Sequence, residues 1–125
     1  MKIFVILGSV FGLLGVVTGA FGAHALEDRV APDMLAVWET GVRYQMYHAL
    51  ALFGAAWLYQ QTDSVTALVA GWAFAVGILV FSGSLYVLVL SDIRGLGAIT
   101  PVGGLALIVG WLCCILTALK LETLS

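Results

Sequence analysis

The sequence predicts an all-α integral membrane four-helix bundle of up-down-up-down topology, on three observations. Its twelve charged residues fall into five clusters along the 125 positions: Lys2; Glu27 to Arg43; Asp63; Asp92 with Arg94; and Lys120 with Glu122. Between the clusters lie uncharged stretches of 24, 19, 28 and 25 residues, and a helix needs about 20 predominantly apolar residues to cross a hydrocarbon core. Hydrophobic residues make up 62% and charged residues 10%, where a soluble domain carries roughly half apolar and a quarter charged. Helices are chosen over strands because lipid forces each backbone N–H and C=O to find a partner inside the segment, and these runs lack the alternation of a barrel strand.

The first span covers 3–26. Lys2 gives a minimal basic start and Ala23-His24-Ala25 imitates a small-x-small cleavage site. The apolar run nevertheless exceeds the roughly 7 to 15 residues of a signal-peptide core, so retention as a span is expected.

The second span covers 41–59. Pro32 and Asp33 suit a helix start, and Met34, Val37 and Trp38 share an apolar face, so helix two has a candidate interfacial extension from Pro32 to Thr40. The third span covers 65–90, with Asp63 or Ser64 as cap; the short Gln60 to Ser64 link makes helices two and three antiparallel neighbours.

The fourth span covers 101–119. Thr100-Pro101 reads as a cap followed by a first-turn proline, the alternative being a helix begun near Leu96 and kinked at Pro101. Trp38, Tyr44, Tyr47, Tyr59 and Tyr86 suit an aromatic belt. Lys2 and Lys120 on one side against Arg29, Arg43 and Arg94 on the other give a small excess of basic residues that places both termini outside the cytoplasm. All 125 residues read as one membrane domain, and the bilayer is the first partner expected.

Several functions are excluded. Five basic residues, none clustered, and a net charge of −2 cannot neutralise a nucleic-acid backbone. Cys113 and Cys114 are adjacent inside an apolar run, which suits packing and neither a disulfide framework nor a CxxC zinc or redox site. No nucleophile stands at fixed spacing from a base, no carboxylate pair lies within a span and no cofactor motif occurs, so neither an enzyme nor a cofactor is expected.

Gly8, Gly12, Gly15, Gly19 and Gly22 are spaced four, three, four and three along helix one. That 3.5-residue period puts all five on one seam of a left-handed helix pair. Helices in lipid gain no hydrophobic drive by meeting, so small residues that let backbones approach are what hold them. The seam serves either packing within the bundle or contact with a second copy or a larger complex.

The polar groups gather in one leaflet. In an up-down-up-down bundle the end of helix one (His24), the start of helix two (Glu39, Arg43, Tyr44, Gln45, Tyr47, His48), the end of helix three (Ser82, Ser84, Tyr86) and Thr100 share a side. The other leaflet offers little beyond Ser9, Thr66 and Thr117. Arg43, inside a span, needs a partner or must snorkel, and Glu39 stands four residues before it in the favourable order. Arg43 is therefore an interfacial anchor paired with Glu39, or faces a ligand. His48, deeper, is a hydrogen-bonded packing residue, or else a proton carrier or ligand contact. Ser82 and Ser84 by default bond a carbonyl one turn back. His24 beside Glu27 and Asp28 has no fixed metal-ligand spacing, and no metal is expected.

Four segments carry a family resemblance: Gly19-Ala-Phe-Gly-Ala-His-Ala-Leu26, Tyr44-Gln-Met-Tyr-His-Ala-Leu-Ala-Leu52, Phe81-Ser-Gly-Ser-Leu-Tyr86 and Leu96-Gly-Ala-Ile-Thr-Pro-Val-Gly-Gly104. In this order they resemble the domain of unknown function 423 family, small inner-membrane proteins of the YgdD and YwdK type with a mitochondrial relative in animals. The resemblance implies a four-helix integral membrane protein of the cell inner membrane, crossing it several times, and supplies no activity.

Two functions are expected on these grounds. The first is a non-catalytic bundle that assembles as a homo-oligomer or as an accessory subunit of a larger membrane complex, its polar half holding a lipid headgroup, a quinone-like molecule or a partner. The alternative is a small proton-coupled carrier of an anionic solute, with Arg43 meeting the substrate and His48 the proton; the lack of an intramembrane acidic relay favours the first.

Overall fold

Four helices run through the computed structural model, which describes residues 1–121. α1 (Lys2–Leu26) is followed by α2 (Pro32–Thr62), α3 (Val65–Ser91), a 3₁₀ turn (Arg94–Ala98) and α4 (Thr100–Ala118). Side-chain pairs fix the directions. Gly8 meets Leu52, Gly15 meets Met46 and Gly22 meets Trp38, so α1 and α2 are antiparallel. Gly41 meets Tyr86 while His48 meets Phe74, so α2 and α3 are antiparallel too. Gly77 against Leu107 and Gly103 against Phe81 set the same relation for α3 and α4. The bundle is up-down-up-down, with α2 and α3 in the middle and α1 and α4 on the flanks.

Local chemistry sets the helix ends. Ala31 is extended and Pro32 occupies the first turn of α2, where the missing N–H costs nothing. The extension from Pro32 and the second uncharged stretch are thus one helix of 31 residues. Asp63 ends it in the left-handed region (φ 49°), a conformation that the short side chain of Asp tolerates better than most. Ser64 then caps α3, its hydroxyl accepting the Ala67 N–H at 3.4 Å. At α4 the capping position falls on Ile99, one residue before the one the sequence suggested, because the Thr100 hydroxyl is drawn to Ser84 (2.6 Å).

α1 is not regular throughout. It is α-helical over Lys2–Val17, π-helical over Thr18–Gly22 and α-helical again over Ala23–Leu26. The glycine spacing gave no sign of this break.

α1, α3 and the segment Arg94–Ala118 are each long and apolar enough to cross a membrane; α2 does not reach that level. Its middle stretch lacks charge without being strongly apolar, since Gln45, His48, Gln60 and Gln61 interrupt it. The central position compensates: Gln45 and His48 are both buried inside the bundle. Phe4, Leu52, Ala55, Phe74, Ile78 and Leu107 form the main core, with Cys113 and Cys114 packed against it. A second cluster of Met34, Trp38, Leu88 and Val89 closes the rim where α1 ends and α2 begins.

Candidate functional site

The glycine seam comes first because it sets how near α1 lies to α2. A Cβ on Gly8 would stand 2.9 Å from the Ala49 carbonyl oxygen, and one on Gly19 would stand 3.1 Å from Val42. One on Gly15 would overlap Met46, and one on Gly22 the Trp38 indole. Four of the five seam glycines therefore face α2. Gly12 does not: nothing lies within 4 Å of a Cβ there. Helix three and helix four repeat the device, with Phe4 seated on Gly71, Phe74 on Gly110 and the Phe81 backbone against Gly103.

Close approach lets polar side chains reach across helices. The Tyr86 hydroxyl of α3 donates to Gln45 Oε1 of α2 at 2.6 Å, and Gln45 Nε2 donates to the Phe11 carbonyl of α1 at 2.8 Å. Trp38 Nε1 donates to the carbonyl of Thr18, inside the π-helical turn, at 2.9 Å. The Thr18 hydroxyl donates to the Gly15 carbonyl (3.2 Å) and lies 3.5 Å from the Tyr86 oxygen. The Trp38 and Tyr86 rings pack at a tilt of 46°, with centroids 4.6 Å apart. Both were expected in an interfacial belt; Trp38 is instead buried and Tyr86 half-buried, because each has a polar tip with a partner on another helix.

Thr18, Gln45 and Tyr86 of this network also line a lateral groove of about 230 Å³, together with Phe11 and Leu14 of α1 and Ile78 and Gly83 of α3.

His48 belongs to a neighbouring face. Its Nδ1 lies 2.6 Å from the Tyr44 carbonyl oxygen, which can only accept, so Nδ1 carries the hydrogen. Its Nε2 accepts from Trp111 Nε1 at 2.9 Å. The ring is therefore held as the neutral Nδ1–H tautomer, stacked on Tyr44 and packed against Phe74 and Trp111. Ser82 donates to the Gly41 carbonyl of α2 (2.7 Å) and so bridges helices instead of bonding within its own. Ser84 bonds the Phe81 carbonyl (2.8 Å), as expected of a helical serine, and also Thr100.

Of the remaining residues only Tyr44 touches these, through His48. Arg43, Glu39, Tyr44, Tyr47 and His24 are exposed. Glu39 and Arg43 line one shallow recess with Val42 and Gly19, yet no ion pair joins them among the described residues. Both point outward, where each can meet water or headgroups separately. Among the described residues no three His, Cys, Asp or Glu side chains converge as metal ligands would. The structure thus brings Gln45 and Tyr86 together, sets His48 on the next face, and leaves Arg43, Glu39, Tyr47 and His24 on the outside.

Sequence reasoning overlooked a second polar ladder at the opposite end of the bundle. Thr62 donates to Ser64 (3.0 Å), Ser64 meets Thr66 (3.2 Å), Thr66 meets Thr117 of α4 (2.7 Å), and Lys120 Nζ donates to Thr66 (3.3 Å). Its signals were the recurrence of a hydroxyl at positions 62, 64 and 66 and the sharing of one leaflet by Thr66 and Thr117. Thr18, Trp38 and Trp111 were likewise overlooked as members of the polar clusters, since ordinary packing residues look the same in sequence.

Comparison with known proteins finds a family of membrane proteins. Residues 18–104 match the family model described as a protein of unknown function, DUF423. A membrane protein of Bacillus subtilis, UPF0382 membrane protein YwdK, is 49% identical over 121 residues, covering 96% of this chain and 98% of its own. A UPF0382 membrane protein of Staphylococcus epidermidis is 48% identical over 120 residues, with 96% and 98% covered. One of Staphylococcus saprophyticus is 47% identical over 121 residues, with 97% and 100% covered. No solved structure matches the chain.

Proposed function

Since the chain belongs to the DUF423 family of membrane proteins, we propose that it is a multi-pass inner-membrane bundle with a non-catalytic role, acting as a homo-oligomer or as a small accessory subunit of a larger complex. The observation that carries this reading is the way the polar half is used. Tyr86, Gln45, Trp38 and Ser82 direct their donors at acceptors on neighbouring helices, and among the described residues no buried side-chain N or O atom lacks a partner. Groups engaged in this way hold helices in register and rigidify a small bundle. What remains for recognition is the outer surface and the lateral groove between α1 and α3, where a lipid tail, a quinone-like molecule or a partner helix would lie over Gln45 and Tyr86.

Gentle native purification followed by mass spectrometry of everything retained tests the reading. A defined oligomer or a co-purifying membrane complex is the expected result. A monodisperse monomer with no retained lipid or protein contradicts it.

One observation favours the alternative, a proton-coupled carrier of an anionic solute: the π-helical turn interrupts α1 beside the polar network, and transporter sites lie at interrupted helices. Against it, Arg43 and His48 occupy different surroundings, one exposed and one enclosed by Trp111 and Phe74. Proteoliposome flux abolished by His48→Ala would establish the carrier.

A further inference from the structure

The loop after α1 and the end of α3 meet at one rim of the bundle around a recess of about 340 Å³ that belongs to neither polar cluster described above. Its lower wall is apolar, formed among others by Met34 and Val89, both buried. Its mouth carries Arg29, Asp92 and Arg94. Arg94 reaches Asp33 at 3.6 Å and Asp92 at 3.7 Å. Those separations exceed the roughly 2.7–2.9 Å of a charge-assisted hydrogen bond, so most of the five guanidinium donors remain available. Arg29 forms no ion pair among the described residues. Two guanidinium groups and one carboxylate thus line the opening, while Asp33, outside the lining, offsets part of the Arg94 charge.

This arrangement selects among possible occupants. A bare anion would be drawn to Arg29 but repelled by Asp92, and a bare cation the reverse. A molecule carrying both charges a few bonds apart, above an apolar body, satisfies each wall. The rim lies where the helices end, which in a spanning bundle is the headgroup level. The geometry points to a binding site for a zwitterionic phospholipid with a primary ammonium, its phosphate held by Arg29 and Arg94 and its ammonium donated to Asp92. Acyl chains continue down the apolar wall past the exposed Leu90. The requirement for N–H donors separates phosphatidylethanolamine from phosphatidylcholine, whose quaternary ammonium has none.

The test uses the full chain in mild detergent with equal amounts of dioleoyl phosphatidylethanolamine, phosphatidylcholine and phosphatidylglycerol, the retained lipid being read by native mass spectrometry. The unaltered protein is expected to retain the ethanolamine lipid by about threefold over the choline lipid, the scale of one exposed charged contact. Asp92→Asn keeps the shape and suits the left-handed backbone at that position (φ 56°). It should erase that preference and raise retention of the glycerol lipid. Arg29→Gln should lower retention of all three, and Arg29→Lys should restore part of it. Equal retention of ethanolamine and choline lipids by the unaltered protein overturns the assignment, as does a glycerol-lipid preference, which would mark a simple anion site. An unchanged preference in Asp92→Asn overturns it as well.

Discussion

The Tyr86 hydroxyl donates to Gln45 Oε1 at 2.6 Å while the same amide gives its Nε2–H to the Phe11 carbonyl at 2.8 Å, so one side chain of α2 fastens both α3 and α1. Nothing near either residue in sequence announces the other, forty-one positions away. The antiparallel order of α2 and α3 brings them level.

Tyr86→Phe keeps the ring on Trp38 and removes only the donor. The cost should be about 1 kcal/mol, within the range of hydrogen bonds between membrane helices. Gln45→Leu should cost more, since it abandons two partners. In a double-mutant cycle followed by denaturation in detergent, the pair should show coupling of roughly 0.5 to 1.5 kcal/mol. Additive costs would mean that the bond carries no energy.

The glycines should rank by what their Cβ would strike. Gly103→Ala drives a methyl into the Phe81 backbone, which cannot yield, and should be the most damaging. Gly22→Ala meets the rigid Trp38 ring, and Gly15→Ala meets only the flexible end of Met46. Gly12→Ala meets nothing and should stabilise the helix, by up to about 1 kcal/mol from helix propensity. Thermal unfolding midpoints in one detergent would establish the order. A Gly12→Ala protein less stable than Gly103→Ala contradicts the packing.

His48 should be neutral, with hydrogen on Nδ1 and none on Nε2, which nitrogen chemical shifts of labelled histidine report directly. Trp111→Phe keeps an aromatic ring there but removes the donor to Nε2, and should move that shift towards the value of an unbonded nitrogen. It should also destabilise the bundle by about 1 kcal/mol, since a buried acceptor is left without its partner. An unshifted Nε2 would show that Trp111 does not reach it.

At the opposite rim, Thr117→Val keeps the shape of a fully buried side chain and deletes the hydroxyl shared with Thr66 and the Cys113 carbonyl. A loss of about 1 kcal/mol is expected. Thr66→Val in the same background should then cost less than it does alone, because its shortest bond is already gone while those to Ser64 and Lys120 remain. Full additivity would dissolve the ladder into unrelated contacts.

The helices were legible because charge is nearly absent inside them. The uncharged stretch from Ile3 to Leu26 coincides with the body of α1, and that from Ser64 to Ser91 with α3 and its cap. Proline placement revealed that α2 begins at Pro32. The site was legible only in outline. Gathering of polar residues at one rim follows from topology, yet which of them touch depends on rotation about each helix. Gln45 and His48, three positions apart, turn towards different neighbours, and Glu39 and Arg43 share a recess without pairing. The π-helical turn was hidden because glycine tolerates α and π geometry alike, so its spacing records closeness and not winding. The hydroxyl ladder was invisible until α4 placed Thr117 beside Thr66.

The bundle requires α2 to cross the membrane despite its modest apolarity, since that crossing puts the ends of α1 and α3 at one rim. Single cysteines at Glu27, Gln61 and Gly95, in a Cys113→Ala/Cys114→Ala background, can be labelled in sealed vesicles with a membrane-impermeant maleimide. Four crossings require positions 27 and 95 to react from one side and position 61 from the other. Reaction of 27 and 61 from the same side, with 95 opposite, would lay α2 along the surface and contradict the bundle.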